Sequence, residues 1–396
     1  MMAYEGRVLK KLMPIVMRTC LVLGGWALVV LGACDPTRAM RSQLPIHGVA
    51  VTPGETGRVF FVDSVGSRVR HLPLGIAYTV GAAQSADRQT LYLTTQRSDG
   101  PLGLLEFIAV DLSEKRVRWR EPLGTQQTRR TISGIEIRTS DWLAVSPGGN
   151  ELITLAVRDG QFGIAALDLA TRQTARFAGP FIPHGGVVML PPSSTFPSGA
   201  IVLGASRDVQ IRVSSIYFLD PATLATIDSL SGEQMGLPGN RSIGAFPSRS
   251  GDALFLFGNQ GIRRYDLATR RITASRAGPL TGDVSPTADG ERLVMTDGGQ
   301  WLDSPGSGKL AVFNASDLTF RGSIQLPRTR DGSPRAQGTA TAGTGPQNML
   351  VMTYTARRGE LFEAQPAELV EVDIATMATI RSIPLNDWGA GRAFAF

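Results

Sequence analysis

Seven times along this chain a short apolar run ends in Asp or Asn and turns back on itself. The clearest copy is Gly261-Ile-Arg-Arg-Tyr-Asp266-Leu-Ala-Thr-Arg-Arg-Ile-Thr-Ala-Ser275. One β run reaches Tyr265, Asp-Leu-Ala-Thr forms a tight turn, and a second run starts at Arg271. A carboxylate at the head of a turn can accept the turn's own N–H groups, so the pattern predicts a β-hairpin. The markers fall at Asp63, Asp111, Asp168, Asp220, Asp266, Asn314 and Asp373. Their spacing of 46 to 59 residues matches the roughly 40–50 residues of a four-stranded blade, with some loops enlarged. A second hairpin precedes most markers, as in Trp142-Leu-Ala-Val-Ser-Pro-Gly-Gly-Asn-Glu-Leu-Ile-Thr-Leu155. Two hairpins make one blade. The fold class expected is therefore all-β: a seven-bladed β-propeller of four-stranded antiparallel blades over residues 47–396. The alternating run Gly391–Phe396 is expected to join the first blade and close the ring, which removes open sheet edges.

Composition agrees. Hydrophobic residues make up 42% and charged residues 19% of the 396, a balance that supports a packed core. No amphipathic helical stretch follows the N-terminal region, which argues against a helical second domain. The formal charge is +6, but Arg7, Lys10, Lys11 and Arg18 against Glu5 supply half of it. The small remainder gives no reason to expect nucleic acid as a partner.

Residues 1–33 read as an export signal. Arg18 precedes the apolar run from Cys20 to Leu31, and small residues follow. That run is short for a bilayer span. Leu31-Gly-Ala-Cys34 resembles a bacterial lipobox, which implies cleavage before Cys34 and acylation of its thiol. An uncleaved anchor is the alternative, and both place the remainder outside the cytoplasm. Met17 is a second candidate start. Asp35 resembles the retention signal of inner-membrane lipoproteins, and residues 34–46 form a lipidated tether without periodicity. The remaining residues contain no cysteine, so the exported domain must be stable on its core alone.

Leu254-Phe-Leu-Phe-Gly-Asn-Gln-Gly-Ile-Arg-Arg-Tyr-Asp-Leu-Ala-Thr-Arg-Arg-Ile272 is similar to the YVTN-type propeller repeat, although its first turn is Gly-Asn-Gln-Gly. Gly48-Val-Ala-Val-Thr-Pro-Gly-Glu-Thr-Gly-Arg-Val-Phe-Phe-Val-Asp63 resembles an NHL repeat. The resemblance specifies an architecture that hosts lactonases, dehydrogenase subunits, assembly lipoproteins and plain binding modules.

Catalytic and metal signatures are sparse. His47, His71 and His184 show no ligand spacing. His47 and His184 precede runs expected to line the central channel. Those runs (Gly48-Val-Ala-Val, Gly81-Ala-Ala, Gly186-Val-Val-Met) lack the acids that lactonase-like propellers use for metal. Asp303-Ser-Pro-Gly-Ser-Gly-Lys309-Leu310 fails as a phosphate loop, with Asp in place of the first Gly and Leu in place of Ser or Thr. No CxxCH haem site, nucleophile elbow or EF-hand spacing occurs. No cofactor or metal is expected.

Long insertions at 96–105, 120–141, 229–242, 299–308, 325–340 and 356–367 are expected on one face of the ring. A scaffold trimmed on one face usually binds through the other. Arg130, Trp301 and Arg357, large residues on three of these loops, are the candidate binding residues. The function expected is that of a non-catalytic interaction or ligand-binding module of the cell envelope. It would be held to the membrane through Cys34 and work with an envelope protein partner on the periplasmic side. The alternatives are a hydrolase or lyase at the channel mouth, of the lactonase type for instance, and an accessory subunit of an envelope redox complex.

Overall fold

In the computed structural model the described residues are 48–396, apart from 54–56, 64–68, 76–77, 86, 97–103, 126–130, 133–134, 138–142, 147, 208–214, 239–243, 259, 278–283, 297–307, 329–335, 344, 356–364 and 386–390. Every regular element among them is a strand. The first three, β1 (Gly48–Pro53), β2 (Arg58–Asp63) and β3 (Val69–Pro73), belong to the first sheet. The second holds β4 (Tyr78–Gln84), β5 (Thr90–Gln96), β6 (Leu104–Asp111) and β7 (Arg116–Thr125). The third holds β8 (Thr131–Ile132), β9 (Ile135–Ile137), β10 (Leu143–Val145), β11 (Glu151–Arg158), β12 (Gln161–Asp168) and β13 (Thr174–Ala178). The fourth runs β14 (Ile182–Leu190), β15 (Ala200–Ser206), β16 (Ser215–Leu219), β17 (Thr226–Leu230). The fifth runs β18 (Gly244–Pro247), β19 (Ala253–Gly258), β20 (Gly261–Asp266), β21 (Arg271–Ala277). The sixth runs β22 (Val284–Pro286), β23 (Arg292–Thr296), β24 (Lys309–Asn314), β25 (Phe320–Gln325). The seventh runs β26 (Ala336–Ala342), β27 (Asn348–Thr355), β28 (Gln365–Asp373), β29 (Ala378–Pro384). Finally β30 (Gly391–Ala395) returns to pair antiparallel with β1.

Period-two alternation assigns each strand's two faces to different neighbours. On β15, Ile201, Leu203 and Ala205 pack with Ile153 and Ile164 of the third sheet, while Ala200 and Val202 pack with Leu254 and Leu256 of the fifth. The same division repeats around the molecule. Each apolar cluster joins two consecutive sheets, and one joins the seventh to the first through Leu350, Leu369, Phe60 and Ala393. Each fully buried large aliphatic or aromatic side chain contributes about 1.5–3 kcal/mol. The result is a β-propeller.

Two expectations are corrected. Six of the sheets are four-stranded, not the seven expected. In the third sheet β10 pairs with Leu152–Thr154 of β11, while β9 pairs further along, at Ala156 and Val157. The insertion after β7 supplies β9 and its partner β8, so two separate segments fill the innermost position. Gly48–Val51, expected on the channel, is second from it: β30 is innermost and contacts β26, the first strand of the seventh sheet.

The Asp hairpins form as expected, and their chemistry is local. Asp168 accepts the N–H groups of Ala170 (2.9 Å) and Thr171 (2.7 Å) and the Thr171 hydroxyl (3.0 Å). Asp220 does the same with Ala222 (2.8 Å) and Thr223 (2.8 and 3.1 Å). Asp266 takes the Thr269 N–H and hydroxyl, each at 2.7 Å. The fourth residue after the marker is left-handed in six copies, with φ between 54° and 61° at Lys115, Arg172, Leu224, Arg270, Leu318 and Met377. Its N–H closes the turn onto the marker's carbonyl, as from Arg172 to Asp168 and from Leu224 to Asp220, both at 2.8 Å. The sixth copy varies: Asn314 keeps this backbone bond at 3.0 Å, but Asp317 caps the Thr319 N–H at 2.9 Å.

The first hairpin of a blade has its own device. The hydroxyls of Ser85, Ser146, Ser248 and Thr287 each accept the N–H five residues on, at 2.9 to 3.1 Å. Both turns lie at the same end of the blade and are tied by a backbone bond, from Leu112 to Gln89, Leu169 to Asn150 and Leu267 to Asp252, each 2.9 Å.

Candidate functional site

The two ends of the strands are unequal. At the turn face, connections are four to six residues long, with 191–199 the longer exception, and their polar groups are largely satisfied from within. At the opposite, loop face, β5–β6, β15–β16, β23–β24 and β27–β28 are joined by 97–103, 207–214, 297–308 and 356–364. Arg130, Trp301 and Arg357 belong to loop-face connections, and they lie outside the described residues, as do Cys34 and His47.

The innermost strands change register near this loop face. The shift lies between Thr79 and Gly81 in β4, between Pro183 and Val187 in β14, and between Gln337 and Ala340 in β26. The third sheet breaks between β9 and β10 at the same level. In all four the irregularity stands at or beside the fifth residue of the second strand: Thr94, Leu155, Gly204 or Met352. Such bulges release backbone groups from the ladder at a barrel rim. His184 sits in one of them, within the innermost strand β14 rather than ahead of it as expected. His71 is elsewhere, exposed on β3 with its ring centroid 6.4 Å from that of Phe60. Among the described residues no three His, Cys, Asp or Glu side chains gather as metal ligands do.

A groove of about 450 Å³ separates the third and fourth sheets. Arg158 ends β11, and its guanidinium lies 4.9 Å from the Phe177 ring centroid. Arg207, just past β15, lies over Tyr217 at 5.0 Å and Phe181 at 5.3 Å and donates to the Thr226 hydroxyl at 3.0 Å. Asp159, with φ 51°, is at the rim. Deeper along the same seam Arg176 is already engaged, by Glu151 at 2.7 Å and by the Pro221 carbonyl at 3.0 Å. The Thr223 N–H, opposed by desolvation and helped by the Thr223 hydroxyl, the Ala222 N–H and the Arg176 charge, lowers the pKa of Asp220 below the ordinary carboxylate value. Asp220 thus holds Thr223 in place along the groove wall.

The wall forms because Gly163 of β12 and Gly179 let two backbones meet. A Cβ at Gly163 would collide with the Ala178 carbonyl, and Phe181 donates to the Phe162 carbonyl at 2.8 Å. Sequence reasoning missed Arg158 and Arg207. Arg158 ends a strand, and Arg207 opens the 207–214 connection, which was not among the long loops expected; only the register of two sheets brings positions 158, 177, 207 and 217 together.

No protein-family model matches the sequence, and no curated protein matches it. Solved structures do resemble it. A hypothetical selenium-binding protein from Sulfolobus tokodaii is 12% identical, with a TM-score of 0.57 over 91% of this chain and 96% of that one. A functionally unknown protein from Desulfotomaculum acetoxidans is 12% identical, with a TM-score of 0.54 over 88% and 99%. Dihydro-heme d1 dehydrogenase NirN in complex with DHE is 14% identical, with a TM-score of 0.52 over 88% and 75%. At such identities the likeness is one of fold, shared by neighbours of mixed function.

Proposed function

We propose that this chain is a lipid-anchored binding module of the cell envelope, held at Cys34 and recognising a protein partner through its loop face. The observation that supports it most is where the chain joins the ring. Gly48 is level with Asp63, at the turn face. A tether ahead of Gly48 would meet the ring at the trimmed end, an arrangement that would leave the elaborated end directed away from the membrane. The six-stranded third sheet serves as the remaining blade of a seven-membered ring. Arg130, Trp301 and Arg357, on three loop-face connections, are the anchors expected to carry most of the binding energy.

The test has two parts. Cys34→Ser should leave a soluble or unprocessed protein when cells are fractionated; processed, membrane-bound protein would reject the anchor. Replacing Arg130, Trp301 and Arg357 together by Ala should abolish partner recovery from solubilised envelope. Unchanged recovery, with His184→Ala losing a hydrolytic activity, would favour a channel-mouth enzyme instead.

A further inference from the structure

We propose that the groove between the third and fourth sheets is a binding site for a carboxylate, with Arg158 and Arg207 as its donors. This goes beyond the loop-face reading and stands on different residues.

A guanidinium that lies flat on an aromatic ring spends its face on the ring and leaves its edge N–H groups directed along the plane. That arrangement matches the two parallel hydrogen bonds a carboxylate accepts. Both arginines of the groove stand over rings, the guanidinium carbon of Arg158 4.9 Å from the Phe177 centroid and that of Arg207 5.0 and 5.3 Å from those of Tyr217 and Phe181. Arg207 spends one Nη on Thr226. The Nε of Arg158 is buried and has no hydrogen-bond partner among the described residues, a condition that calls for a ligand or an ordered water. The neighbouring Arg176, whose Nε is likewise buried without a partner among the described residues, uses its Nη2 instead. It lies in the same seam and already holds the carboxylate of Glu151 at 2.7 Å, so the seam shows from within the chain what its arginines accept.

Charge favours the same ligand. Two guanidinium groups face one acid, Asp159, among the groove-lining residues. The volume of about 450 Å³ suits a small ligand or one or two peptide side chains. A planar carboxylate can accept two parallel N–H groups from one guanidinium, which favours it over a tetrahedral anion. Its source is either a free dicarboxylate or a Glu or Asp side chain of a partner, and the chemistry recognised is the same.

Titration calorimetry on the purified protein tests this with three probes: glutarate, a blocked tetraglutamate peptide and inorganic phosphate. Saturable binding is expected for one or both carboxylate probes and weaker binding for phosphate. Preference for glutarate identifies a metabolite-type ligand, and preference for the peptide identifies a partner's acidic segment. Arg158→Gln and Arg207→Gln should each weaken binding at least tenfold while leaving the circular dichroism spectrum unchanged. Arg158→Lys, which keeps charge but not the fork, should lose nearly as much as Arg158→Gln. Arg271→Gln, on the outer surface, should bind like the parent protein. No saturable binding of either carboxylate probe, equal or tighter binding of phosphate, or full affinity in the Arg158→Gln, Arg207→Gln double variant would overturn the proposal. None of these outcomes bears on partner recovery through Arg130, Trp301 and Arg357, so the two readings fail separately.

Discussion

A single carboxylate per blade organises the turn face, and its value is local. Asp266 holds an N–H and a hydroxyl of the same residue, Thr269. Asp266→Ala should therefore cost about 1 kcal/mol, the worth of a side-chain cap, measured as a shift in the denaturant midpoint at unchanged slope. Asp111 adds a dependence on pH. Desolvation opposes its ionisation, but the Glu114 N–H, the Ser113 hydroxyl and Arg118 outweigh burial and hold its pKa at about 2. The unfolded value is near 3.9. The stabilisation is therefore fully present above about pH 4 and is lost as pH falls toward 2. In a denaturation series from pH 6 to 2, Asp111→Asn should be less stable than the parent at the top, and the gap should close across that window. These caps were legible in the sequence, because Asp-x-Ala-Thr places acceptor and donors within four residues. Asn314 was legible only as a marker, since its cap comes from Asp317, whose pKa the Thr319 N–H lowers.

At the scale of the element, the left-handed residue of each turn reaches the preceding sheet. Lys115 stands 6.0 Å over Phe61. Arg172 meets Glu121 at 3.6 Å, and Arg270 meets Asp228 at 2.8 Å. Leu224 is 2% exposed within the cluster that joins the third and fourth sheets. A non-glycine residue with positive φ pays roughly 1–2 kcal/mol of steric cost, and the latch sets the sign of a glycine replacement. Lys115→Gly should stay within about 1 kcal/mol of the parent, since relief of φ offsets a weak, half-buried contact. Leu224→Gly should lose about 2–5 kcal/mol, because an apolar side chain leaves the core. Thermal denaturation of the two variants side by side checks the contrast. The outer strands gain protection as well: β7, β13, β17, β21, β25 and β29 each shift register just after the turn, and such kinks discourage edge-to-edge pairing. None of this was visible in the sequence. A bulge leaves the alternation of buried and exposed residues almost intact, and a latch partner lies about fifty residues away. The third sheet escaped for a related reason: Thr131–Ile137 is too short to show a period, and it pairs only because β11 extends past β10.

For the whole molecule the sequence was most informative. A repeated marker at blade spacing fixes a ring of sheets, and apolar alternation on both faces of a strand fixes neighbours on both sides. The groove was not readable, because it depends on how two blades stand against each other. Closure rests on a few residues of β30. Phe394, 2% exposed, packs between the first two sheets with Leu91 and Ile108, and Phe394→Ala should cost about 3–5 kcal/mol, seen as a fall in melting temperature.

Gly48 and Phe396 exchange two backbone hydrogen bonds of 3.0 Å, so strands from opposite ends of the described chain share one sheet. During synthesis this order has a consequence. Until residues 391–396 have left the ribosome, β1 offers an unpaired edge, and the cores on either side of it lack Ala393, Phe394 and Phe396. A chain halted before residue 391 is thus marked by an open strand and exposed apolar surface, and pairing of β30 removes that mark in one step. Pairing of β30 is registered in the molecule as the disappearance of an edge.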